Sequence, residues 1–193
     1  MDITCFLNDG WQILNRLPDD PEESISLGKA TTSSYCFAQI FPITIQDAMP
    51  YEHPEEIIDG IHRTLDSNQA LIEVKSGQTS NDQKIVHSIV KTPKTPSGVT
   101  YFVRANIFRK DSIFEIRATF EESGLTGQRD ATIFEIARQQ GVISMDDTSN
   151  WMFDPYDPSL KRPYLMNLSE QEQFDEYFPE HPLSQARRFV NML

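Results

Sequence analysis

Ala70-Leu-Ile-Glu-Val-Lys75, Lys84-Ile-Val-His-Ser-Ile-Val-Lys91, Val99-Thr-Tyr-Phe-Val-Arg-Ala-Asn-Ile-Phe-Arg109 and Ser112-Ile-Phe-Glu-Ile-Arg-Ala-Thr-Phe-Glu121 follow one another through the middle of a 193-residue chain. All four stretches are rich in β-branched and aromatic residues, which suit a pleated, half-buried surface. Their connections, Ser76–Asp82, Thr92–Gly98 and Arg109–Asp111, are short enough to join neighbouring antiparallel strands without a crossover helix, so the simplest path is a β-meander. In the third stretch Val99, Tyr101, Val103, Ala105 and Ile107 share one face, while Phe102 and Phe108 lie on the other with Thr100, Arg104 and Asn106. Both faces of the sheet therefore carry apolar groups to be covered.

Working outward, Gly10–Asn15 alternates apolar with polar residues and reads as a short strand ended by the turn Pro18–Pro21. Ser24–Ala30 and Tyr35–Phe41, separated by Thr31-Thr-Ser-Ser34, carry a hairpin signal. Pro54 and the acids Glu55 and Glu56 mark a helix start. Ile57, Ile58, Ile61 and Leu65 then recur at helical spacing within 55–68, with Glu56, Asp59 and Arg63 left for solvent. Beyond the meander, Gly124 and Thr126 announce a second helix over Gln128–Gln140, with Thr126 as the expected N-cap and Gly141 as the terminating residue. The order predicts an α+β fold: an antiparallel sheet of six or seven strands with helices on its faces, an α/β/α sandwich spanning residues 1–141.

From Val142 onward the composition changes. Ser144–Asn150 is polar and acidic, and Asp154–Pro158 is turn-rich, so irregular structure is expected, followed by short helices over 169–178 and 182–192. Trp151, Phe153, Tyr156, Tyr164 and Leu165 are too many large apolar groups for a disordered tail. The 142–193 extension is expected to dock on the domain, and if a partner exists, Trp151, Phe153, Tyr156 and Tyr164 are its first candidate contacts.

The formal charge is -12, from 17 Lys and Arg against 29 Asp and Glu. Residues 1–24 hold six acids and one base, residues 142–193 nine acids and four bases, and the middle is close to balanced. Such a chain repels a phosphate backbone, which disfavours nucleic acid as a partner. The flanking charge reads either as partner-contacting arms or, more simply, as solvated surface. No basic leader and no long apolar run appears, so the expectation is a cytoplasmic protein that does not bind membranes. Cys5 and Cys36 are too few for a disulfide framework and lack zinc-site spacing.

Catalytic motifs are not evident. His53, His62, His87 and His181 show no ligand spacing, the acidic pairs match no calcium loop, and phosphate-loop glycine spacings are missing. No metal, cofactor or catalytic residue is assigned. Glu115 and Arg117 face the same way on one strand and can pair with each other or with Arg104 on its neighbour, a cross-strand ion pair being the simpler reading. If a small-molecule pocket or an unrecognised hydrolase site forms between sheet and extension, its polar groups would be His87, Arg104, Glu115 and Arg117.

Tyr35-Cys-Phe-Ala-Gln-Ile-Phe-Pro42, the helix Pro54–Leu65, the strand Ala70–Lys75, Thr100-Tyr-Phe-Val-Arg104 and Phe120-Glu-Glu-Ser-Gly-Leu-Thr-Gly127 together resemble the PsbP-like fold over residues 10–141. That superfamily includes the Ran-binding protein Mog, the photosystem II protein PsbP, DcrB-like bacterial proteins and type VI secretion effector chaperones. The resemblance implies a cofactor-free, non-enzymatic module that binds other proteins. It leaves residues 142–193 uncovered.

Overall fold

A computed structural model describes residues 3–79 and 81–193. A short helix α1 (Thr4–Asn8) leads into strand β1 (Gln12–Leu14), the hairpin β2 (Ile25–Ala30) and β3 (Ser34–Ile43), and helix α2 (Pro54–Thr64). The meander β4 (Ala70–Gln78), β5 (Lys84–Pro93), β6 (Val99–Phe108), β7 (Ile113–Glu122) follows, then helix α3 (Gln128–Gln139). The extension holds the small pair β8 (Met152–Phe153) and β9 (Met166–Asn167), two 3-10 turns, Leu168–Glu170 and Glu172–Tyr177, and helix α4 (Pro182–Asn191). The main sheet has the order β1-β2-β3-β7-β6-β5-β4 and every pairing in it is antiparallel. The expected α+β class and the expected meander are both present.

The two faces of this sheet are covered differently. On one face Leu27, Ala38, Ile40, Tyr101, Val103, Ala105, Ile107, Ile116 and Phe120 meet Leu183, Ala186, Phe189 and Val190 of α4, joined by Phe6 and Trp11 from the N-terminal segment. Phe189 packs its ring 4.9–5.7 Å from the rings of Phe6, Trp11 and Phe120. On the opposite face α2 lays Ile57, with Ile58, Ile61 and Leu65 beside it, on Leu71, Val74, Val86 and Val90. That second cluster covers the β4–β5 side and, through Met49 and Tyr51, reaches Phe108 at the end of β6. The helix ends at Thr64, with Leu65 already extended, four residues short of the reach its apolar spacing suggested.

Two local details depart from the sequence reading. The N-cap of α3 is Gly127 in the left-handed region (φ 76°), not Thr126. The Glu122 carboxylate accepts the Gly127 N–H at 2.7 Å, while the Thr126 hydroxyl turns to Ser97. The expected helix over 169–178 is a pair of 3-10 turns, whose capping box uses Asn167 and Glu170 and not Ser169 and Glu172.

The extension docks on the domain through buried polar contacts. Glu170 accepts from the Lys91 ammonium (2.7 Å), the Tyr101 hydroxyl (2.6 Å) and the Asn167 N–H (2.7 Å). Arg129, 1% exposed, donates to the carbonyls of Ser169 and Gln171 and to the Ser184 hydroxyl, and pairs with Asp175. Arg187 of α4 pairs with Asp175 and with Glu73 of β4 and donates to the Glu170 carbonyl. Arg188, the next residue of α4, pairs with Asp9. His62 of α2 holds Asp154 at 3.0 Å, and Arg162 donates to the Leu65 carbonyl at the end of α2.

Phe189→Ala should destabilise the protein by about 3–5 kcal/mol, since the cavity left among three aromatic rings cannot collapse; urea unfolding measures it directly. Acid sensitivity has two separate windows. His181 caps α4, accepting the Leu183 N–H, and burial together with the nearby Arg129 and Arg187 charges drives its pKa well below 6.5. The unfolded ring therefore takes up a proton that the folded one refuses, and stability is full above about pH 6.5 and declines as pH falls below it. Glu73 is pushed up by burial, but the His87 hydrogen bond and the Arg187, Lys75 and His87 charges outweigh this and hold it at about 2. Its contribution is full above its ordinary value of 4.5 and is lost as pH falls from there towards 2. Thermal melts of His181→Asn, which keeps a capping oxygen, should lose the slope between pH 6.5 and 5 and retain the drop below 4.5.

Candidate functional site

The α2 side chains stop at β5, and the middle of the same face of β6, β7 and β3 stays open, while the 44–51 segment covers its Asn106–Phe108 end. Antiparallel register sorts the open side chains into rows running across the strands. One row is Gly28, Phe37, Thr119, Phe102 and Val90; the next is Ser26, Gln39, Arg117, Arg104 and Ser88. An apolar row thus lies beside a polar, cationic one. Phe37 is 41% and Phe102 43% exposed, although both sit in the middle of the sheet's surface and not at its rim. Leu14 of edge strand β1 is paired with Ser26 and leans over Gly28, where a Cβ would come within 3.0 Å of its side chain.

The rows floor a cleft of about 380 Å³ lined by Phe37, Gln39, Val90, Phe102, Arg104, Arg117 and Thr119. A second cleft of about 330 Å³, between α2 and the 48–50 segment, is lined by Met49, Ile57, Gly60, Ile61 and Thr64. The two meet at Ser88 and Arg104, which line both. Gly60 faces this junction without a side chain, and the space a Cβ would take there is empty.

One buried carboxylate organises the cationic row. Glu115, 1% exposed, accepts from Arg104 Nε (3.0 Å) and Nη2 (2.7 Å) through Oε2 and from Arg117 Nε (2.5 Å) through Oε1. Arg104 also donates to the Asp47 carbonyl at 2.9 Å, and Asn106 accepts the Met49 N–H at 2.6 Å, so the 44–49 loop is fastened over this end of the sheet. Arg117 lies over the Phe41 ring. Both guanidinium heads stay accessible, with side-chain exposures of 45% for Arg104 and 66% for Arg117. Two full positive charges share one acid, and among the described residues no other carboxylate forms an ion pair with either arginine.

Of the sequence-derived pocket residues, Arg104, Glu115 and Arg117 converge as the ion-pair reading required. His87 does not join them. Arg104 is paired in register with Ser88, and His87, one residue earlier, points to the α4 face, where its Nε2 meets Glu73 at 2.8 Å beneath Arg187. The location also differs from the expected one, because the extension covers the α4 face while the arginines lie on the opposite side. The four extension aromatics have contacts within the chain. Trp151 stacks edge-on with Phe134, Phe153 packs against the main core, the Tyr156 hydroxyl accepts the Val74 N–H and donates to its carbonyl, and Tyr164 lies under the Lys91 ammonium. Cys36 is buried, and burial pushes its thiol pKa up, which suits a structural residue. Among the described residues no cluster of three or more His, Cys, Asp or Glu is placed to hold a metal ion, and no helix is long and apolar enough to cross a membrane.

Sequence reasoning missed Phe37, Gln39, Ser88 and Gly60. The available signal was Tyr35 and Phe37 alternating with Cys36, Ala38 and Ile40: two aromatics on the face opposite the aliphatic one, matching Phe102 two strands away.

No family model matches the chain, and no curated protein matches it. Among solved structures it is similar to PA94 of Pseudomonas aeruginosa, a protein of unknown function, at 12% identity and a TM-score of 0.37, over 69% of this chain and 94% of that one. A likeness at that level carries no activity or partner across.

Glu115→Gln should cost roughly 1–3 kcal/mol, because one charged acceptor of three arginine N–H groups is lost while the guanidinium heads can still reach water. The loss should shrink in 1 M salt, measured by denaturant titration at both ionic strengths. Phe102→Thr should cost roughly 1–2 kcal/mol, well under Phe189→Ala, since a large part of the ring is already in water and a β-branched residue suits the strand.

Proposed function

We propose that the protein is a non-enzymatic protein-interaction or chaperone-like module of the cytoplasm, related to the PsbP-like fold, and that its partner docks on the open face of the β3–β7–β6 sheet. The observation that carries this reading is the pair Phe37 and Phe102, exposed in the middle of a sheet whose other face carries the main core, with Leu14 exposed at the edge. Exposed apolar groups gathered beside polar ones on one face are the kind of surface that marks interaction sites. Aromatics near the centre of such a patch, with polar groups around them, have the composition of an interface whose few buried anchors supply most of the binding energy. The extension aromatics Trp151, Phe153, Tyr156 and Tyr164 support the same face indirectly, because each has contacts inside the chain.

A photoreactive phenylalanine analogue at position 102 should form a discrete adduct with one protein species in cells. A second label at Tyr177, which is exposed on the extension, should not form that adduct. Equal labelling from both positions, or an adduct unchanged by Phe37→Ser, would sink the assignment.

A further inference from the structure

We infer that the occupant of the open face is an acidic amphipathic helix of a partner protein, lying across the strands with two carboxylates one turn apart over Arg117 and Arg104. The inference rests on the docking reading above and adds the occupant's secondary structure, orientation and charge.

Orientation follows from how the side chains alternate. Along β3 or β6 the open face changes from aromatic to polar within one same-face step, Phe37 to Gln39 and Phe102 to Arg104. Across the strands it stays apolar in one row and cationic in the next. A rod with one apolar and one charged side matches both rows only when it crosses the strands.

Backbone chemistry selects a helix. β3, β7 and β6 are interior strands with ladder partners on both sides, so their N–H and C=O groups have nothing to offer an extended peptide. A helix satisfies its own backbone and can rest on an apolar floor without leaving polar groups unpaired. From β2 to β6 the open floor spans three interstrand steps, about 15 Å, which is the length of two to three helical turns. The α2 helix then closes the end.

Spacing and charge select the acids. Arg104 and Arg117 are directly opposite each other on adjacent strands, so their Cα atoms are about 5 Å apart. Residues one turn apart on a helix face are separated by a similar distance, about 5–6 Å. A carboxylate at i and another at i+3 or i+4 can therefore each face one guanidinium. Glu115 engages three N–H groups of the pair and Arg104 also donates to the Asp47 carbonyl, so both heads are held in place while 45% of the Arg104 and 66% of the Arg117 side chain stay exposed. It supplies one negative charge against two positive ones, and Asp20, held by Gln39 at the next position of the row, adds a second acid at the β2 end. On a chain with net charge -12, the two exposed guanidinium heads would favour an acidic segment at the β7–β6 end of the row over its repulsion elsewhere on the surface.

The test is a phage-displayed library of helical peptides, selected in parallel on the wild-type protein and on Arg104→Gln/Arg117→Gln, which keeps N–H donors for Glu115. Wild-type selection should enrich apolar-striped helices carrying Asp or Glu pairs at i,i+3 or i,i+4. A recovered peptide should bind the Gln variant at least about tenfold more weakly, recover most of its affinity on Arg104→Lys/Arg117→Lys, and lose its advantage at high salt. Enrichment of acid-free apolar helices that Phe102→Thr abolishes would leave the docking face standing and overturn the acidic helix. Enriched peptides indifferent to Phe37 and Phe102, or no enrichment at all, would overturn both. Arginine-dependent binding of dodecanoate without any enriched peptide, or a dimer in solution that Phe102→Thr dissolves, would assign the face to an amphiphile or to a second copy and likewise overturn the helix.

Discussion

A single buried carboxylate, Glu170, ties the extension to the centre of the sheet, and the arrangement of both faces follows from it. Its two oxygens receive a lysine, a tyrosine hydroxyl and a backbone amide, and the Tyr101 pKa is driven well above 10 by burial first and then by the Glu170 charge, so the hydroxyl remains a donor. Burying such groups is costly unless each is matched, and here each is. Arg129 and Arg187 then hold the carbonyls of residues 169–171, of which Gln171 also accepts the Phe174 N–H. Fixing this stretch delivers α4 onto β3, β6 and β7, where Phe189 completes the main core.

The acidic flank is consequently less of a solvated field than its composition suggests. Glu170, Asp175 and Asp154 meet Lys91, Arg129, Arg187 and His62, so extension acids pair with three basic side chains of the central domain. A near-balanced central segment and an acidic tail are two halves of one set of ion pairs. The same contacts hold Phe153, Tyr156 and Tyr164 against the domain, while Tyr177 on the extension and Phe37 and Phe102 on the open sheet face stay exposed.

Much of this was legible in the sequence, for identifiable reasons. The meander declared itself through β-branched runs and short links, the hairpin through two apolar runs around Thr31–Ser34, and α2 through Ile57, Ile61 and Leu65. Each of those signals is local. What escaped depends on contacts far apart in the chain. Arg129 precedes an ordinary helical face, and nothing near it announces that carbonyls some forty residues later will bury it. His87 and Arg104 could be placed on adjacent strands but not on faces, because alternation has a period of two and a shift of one residue in pairing exchanges the faces. The register that pairs Arg104 with Ser88 separated the histidine from the arginines and left the ion cluster intact.

The open face also bears a cost that stability alone does not explain. Exposed ion pairs contribute little, with a median near 0–1 kcal/mol, and the cluster's two heads are both in water. Burying Glu115 beneath them therefore gains the fold less than a plain aliphatic pair at the same positions could. The neighbouring Phe37 and Phe102 expose ring surface that Thr or Val would not, on strands where those residues are equally at home. A surface that keeps both features side by side, in register and pre-oriented by a buried acid, is better suited to receiving a charged apolar element than to facing water. Pre-orientation matters energetically: guanidinium heads already held in place lose less side-chain freedom when a carboxylate arrives, and that saving appears as affinity. The asymmetry of the sheet, one face carrying the main core and the other covered only in part, is the physical basis of the proposal that a partner docks where α2 stops.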